Sequence, residues 1–60
     1  MSQRASPTPS ETAAAAGALL RQYGDDAAVI ATLRAAEEAA AGDLEASDYW
    51  MAIAALLDAP

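Results

Sequence analysis

The side chains that could do chemistry are few. Ser47 and Asp48 stand next to each other, and so do Glu37 and Glu38. Adjacent residues diverge on a helix surface, so neither pair converges on a common atom as acid–base or nucleophilic work requires. The chain has no His, Cys or Lys, which removes the commonest general bases and nucleophiles. The same absences exclude disulfides and the usual zinc and iron ligand sets. One stretch, residues 43–48, opens with acidic residues at alternating positions, like the start of a calcium loop. Its sixth position is Asp48 where a glycine must turn, and its twelfth is Ala54 where a carboxylate must chelate. The sequence therefore predicts no catalytic residue, no metal site and no cofactor.

What remains is recognition chemistry, and it is concentrated at the end of the chain. Residues 44–57 hold the only tryptophan, one of two tyrosines and about half of the bulky apolar side chains. At ~100° per residue, Ala46, Tyr49, Trp50, Ile53, Leu56 and Leu57 fall on one helix face, with Asp48, Met51, Ala55 and Asp58 on the other. Trp50 either fills the middle of a thin core, its indole N–H finding an acceptor, or anchors a partner as interface hot spots do. Tyr49 flanks it. The predicted contact set is Tyr49, Trp50, Ile53 and Leu57, supported by Leu20 and Tyr23 from the first helix.

The elements that would position these residues are legible from helix punctuation. Residues 1–7 are polar and read as a disordered tail ahead of one helical domain, 8–60. Thr8-Pro9-Ser10-Glu11 fits a capping box with Pro9 at the first helical position. The first helix would bury Ala13, Ala16, Leu19, Leu20 and Tyr23. Gly17 is either a tolerated weakness or a point of close helix approach. Gly24-Asp25 closes this helix and opens the next, and Gly42-Asp43 repeats the device, glycine past a helix end and aspartate as N-cap. The second helix carries a narrow stripe of Val29, Leu33, Ala36 and Ala40, with Ile30 on its flank. Its remaining surface, Ala28, Ala31, Ala35 and Ala39, reads as a solvated face, the alternative being a second close-packing seam. Arg34 is placed to pair with Glu37 or Glu38.

The expected architecture is all-α: three short antiparallel helices over about 9–23, 26–41 and 44–58, the third central. Of the 55% hydrophobic residues more than half are alanine, and Leu, Ile and Val number nine. Alanine favours helices but buries little area. A 60-residue chain so built needs a supplement to its core. With disulfides and metal excluded, a second copy completing a larger helical bundle is the expected one.

Charge narrows the partners. The formal net charge is -6, and every charged residue after Arg34 is acidic. Such a surface repels phosphate backbones and anionic membranes, so neither nucleic acid nor membrane is expected as a partner. No apolar run approaches the ~20 residues of a membrane span, and no targeting signal is evident; a cytoplasmic protein is expected. The sequence thus points to a non-catalytic, self-associating interaction module. The alternatives are a small acidic inhibitor that binds a basic site on another protein, and an accessory subunit of a larger complex.

Two resemblances rest on this punctuation. Tyr23-Gly24-Asp25, the Ala-spaced middle helix, Ala41-Gly42-Asp43 and the set Trp50, Ile53 and Leu56 resemble a group of short, uncharacterised all-helical proteins of alphaproteobacteria. Membership implies a helical fold and no activity. The Ala-Gly-Asp turn between Ala-rich amphipathic helices is also similar to a tetratricopeptide hairpin, of which one and a half units are present. That likeness implies a mode of packing only.

Overall fold

The computed structural model describes residues 9–58, all within or between helices. The predicted tail and the Thr8 cap lie outside them. Helix α1 spans Pro9–Tyr23, with Glu11 in its first turn and Arg21 in its last, each complementing the helix dipole. Helix α2 spans Ala27–Ala40 and helix α3 spans Leu44–Asp58. The fold is all-α.

The first junction departs from the expected break. Gly24 takes a left-handed φ of 59°, as a glycine past a helix end should. The chain does not then leave helical conformation. Gly24–Asp26 form a 3-10 turn in which the Ala27 N–H donates to the Gly24 carbonyl, and α2 begins at once. The described residues therefore make two uninterrupted helical runs, 9–40 and Leu44–Asp58, rather than three separate helices. Asp25 is not the N-cap of α2. Asp26 is, and its side chain makes no capping bond, because φ -85° and ψ -2° leave it helical. A capping side chain reaches back to its helix from the extended region.

The second junction is built as expected. Gly42, at φ 86°, donates its N–H to the Ala39 carbonyl (3.0 Å), and Asp43 N–H donates to Glu38 (2.9 Å). This crossed pair satisfies the last carbonyls of α2. Asp43 also starts α3: its Oδ1 accepts the Ala46 N–H at 3.0 Å, and its carbonyl accepts the Ser47 N–H at 3.0 Å. One residue thus closes α2 and opens α3. The result is an antiparallel hairpin, in which Arg34 meets Trp50 while Ala28 near the start of α2 lines the same groove as Asp58 at the end of α3.

The core is thin and made mostly of alanine. Ala16 and Leu19 of α1, Ala27 and Ala31 of α2, and Ile53 and Ala54 of α3 are buried together, with Tyr23, Ile30, Tyr49, Trp50 and Leu57 packed against them. Among the described residues, Ile53 is the one large side chain fully sealed in. α1 rests chiefly on α3.

Helix α2 faces the opposite way from the sequence expectation. Of the alanines expected on its solvated face, Ala31 and Ala35 are buried, Ala28 is half-buried and only Ala39 is exposed, and Ala27 is buried beside them. The supposed core stripe is outside, with Val29 57% and Leu33 54% exposed and Ala36 and Ala40 exposed beside them. Separation of packed helices depends on the side chains between them. The bulk of α3, from Tyr49 through Leu57, already fills that space. On the α2 side the fully buried places are left to methyl groups, with Ile30 packed at the flank. Leu56 is a smaller correction; it is 46% exposed at the edge of the α3 stripe rather than within it, and Ala54 takes the inner place.

Candidate interaction surface

Five of the six predicted contact residues are drawn together at the core, and one is not. Tyr23, Tyr49, Trp50 and Leu57 are half-buried against it, and Ile53 has no exposed surface. Ile53 is therefore a core residue and cannot touch a partner without the fold opening. Leu20 stands apart on the outer side of α1, 53% exposed. Ala13, expected inside, is exposed as well, while Thr12 takes a buried place on the inner face of α1.

Trp50 is occupied within the molecule. Its ring meets that of Tyr49 edge-on, with centroids 5.4 Å apart and planes at 68°. The Arg34 guanidinium carbon lies 5.3 Å from the indole centroid, so Arg34 turns to Trp50 across the hairpin rather than to Glu37 or Glu38. The arrangement suits the ring quadrupoles and the cation.

The large side chains left in water lie elsewhere. On α2, Val29 and Leu33 stand four residues apart and so share a face, directly across the helix from Ala31. Beside them Ala28, Thr32 and Asp58 complete a shallow open groove of about 310 Å³. The Thr32 hydroxyl is turned back on its own helix, donating to the Ala28 carbonyl at 2.9 Å. That leaves the Asp58 carboxylate as the groove's charged element. On α3, Leu44 and Met51 form a second exposed pair on the face opposite Ile53.

The sequence contained the spacing of Val29, Leu33, Ala36 and Ala40. It did not contain the sign of that face, which periodicity alone places in the core.

Among the described residues, no three carboxylates gather where they could hold a metal ion. Asp43, first residue of the calcium-like stretch, is instead committed to capping α3. No helix among the described residues is long and apolar enough to cross a membrane. No family model, curated protein or solved structure matches this chain.

Proposed function

We propose that the chain is a non-catalytic assembly module that associates with a second copy of itself through the outward face of α2. The observation that carries this reading is the inversion of that helix. Ala27, Ala31 and Ala35 are spent inside, while Val29 and Leu33 are held in water on one face. Large apolar residues grouped on a surface mark contact sites more often than scattered ones do. Covering a half-exposed Val or Leu gains on the order of 1 kcal/mol, and association must overcome the loss of translational and rotational freedom. The contact is accordingly weak and concentration-dependent.

Sedimentation velocity across micromolar to millimolar concentrations tests the reading. The expected result is a monomer–dimer equilibrium that Leu33→Glu shifts at least about tenfold toward monomer, because a carboxylate is costly to desolvate in an apolar seam, with helical circular dichroism unchanged. A chain that stays monomeric throughout would remove the proposal. The acidic excess, nine carboxylates against three arginines, supports a second reading, in which the chain docks on a basic protein. Ionic strength separates the two, since added salt weakens binding between opposite charges and relieves repulsion between like ones.

A further inference from the structure

The outward face of α2 carries a size pattern that specifies how a second copy would lie on it. Val29, Leu33, Ala36 and Ala40 recur at intervals of four, three and four residues, which is the spacing of a narrow helix–helix seam. The two large residues occupy the N-terminal half and the two alanines the C-terminal half. All four are exposed. We infer that two copies pair α2 against α2 in antiparallel orientation, about a two-fold axis between Leu33 and Ala36. A single register then sets Val29 opposite Ala40 of the second copy and Leu33 opposite Ala36 of the second copy. Each large side chain meets a small one, at both ends and in both directions. A parallel pairing in register would set Leu33 against Leu33 and alanine against alanine, holding the helices apart at one end and leaving a gap at the other.

Charge agrees with this arrangement. In a molecule of net charge -6, the seam residues and their flanks Ile30, Thr32 and Ala39 are uncharged; on α2 Glu37 is the carboxylate beside them, and Asp58 of α3 lines the groove next to Val29 and Leu33. The antiparallel register lays Glu37 beside Ile30 of the second copy and away from the other Glu37. Arg34 is engaged on the inner side with Trp50. Size sets the strength: α2 has 14 residues, a length of about 21 Å. One helix of that length covers less than the ~800 Å² per partner of a standard interface, in keeping with a weak dimer.

This inference rests on self-association through α2 and adds its geometry. The chain has no cysteine, so single replacements report contacts directly. Val29→Cys and Ala40→Cys, both at exposed positions, are mixed in equal amounts at a concentration where the unmodified chain dimerises, under a glutathione redox buffer. The antiparallel register brings Val29→Cys of one copy against Ala40→Cys of the other. Like positions are separated by 11 residues along the axis, about 16 Å, beyond the reach of a disulfide. The expected product is the mixed disulfide, in about tenfold excess over either homodisulfide. A dominant Val29→Cys homodisulfide, or a statistical mixture of products, would overturn the register while leaving self-association standing. Absence of dimer in the unmodified chain would instead remove the parent reading, and this one with it.

Discussion

Ile53 and Gly17 mark the two ends of the range of consequences a single side chain has here. Ile53 is 0% exposed and belongs to the core cluster that α1, α2 and α3 share. Truncating it opens a cavity at the one place where a large group is sealed in. Ile53→Ala is expected to cost about 3 kcal/mol, read from urea unfolding followed by Trp50 emission. That is a large share of the stability of a 60-residue chain, on the order of 0.1 kcal/mol per residue. Gly17 has the opposite sign. A methyl group built there meets only the Arg21 guanidinium, at 3.7 Å, an ordinary contact. The close-approach reading of Gly17 is thus replaced by the plainer one, and Gly17→Ala is expected to raise stability by about 0.5–1 kcal/mol. A thermal melt followed at 222 nm measures it.

At the scale of elements, the two Gly-Asp connectors look alike in sequence and behave differently in the fold. Gly42 and Asp43 form a crossed carbonyl cap followed by a side-chain cap. Gly24 and Asp25 pass into a 3-10 turn, and the following Asp26 caps nothing with its side chain. Asp43→Ala is therefore expected to cost about 1 kcal/mol, while Asp26→Ala stays within about 0.5 kcal/mol, the usual range for a surface change. Equal losses in urea unfolding of the two variants would contradict the difference in capping. The physical cause lies outside the connectors. Asp43 bridges two helices folded tightly on each other, whereas α1 and α2 have little mutual contact to enforce a sharp break.

For the whole molecule, the governing quantities are a thin core and a single-signed surface. Two copies carrying -6 each repel at a distance. Self-association is expected to strengthen several-fold between 0.02 and 0.5 M salt, as the Debye length contracts from about 20 Å to about 4 Å. The dissociation constant from sedimentation checks this, and a constant that rises with salt would contradict it.

How much of this was legible in the chain depends on what kind of signal carried it. Helix content, the start of α3 and the Gly42-Asp43 device were readable, because capping, propensity and left-handed glycines act over a few residues. Periodicity likewise established which residues of α2 share a face: Val29 with Leu33, and Ala31 with Ala35. It could not say which of those faces is inside, since a stripe of larger residues and a stripe of alanines are both coherent helix faces. That choice belonged to tertiary packing. Ile53, Trp50 and Tyr49 of α3 occupy the space between the helices, and a neighbour can come close enough to cover them only by presenting its smallest side.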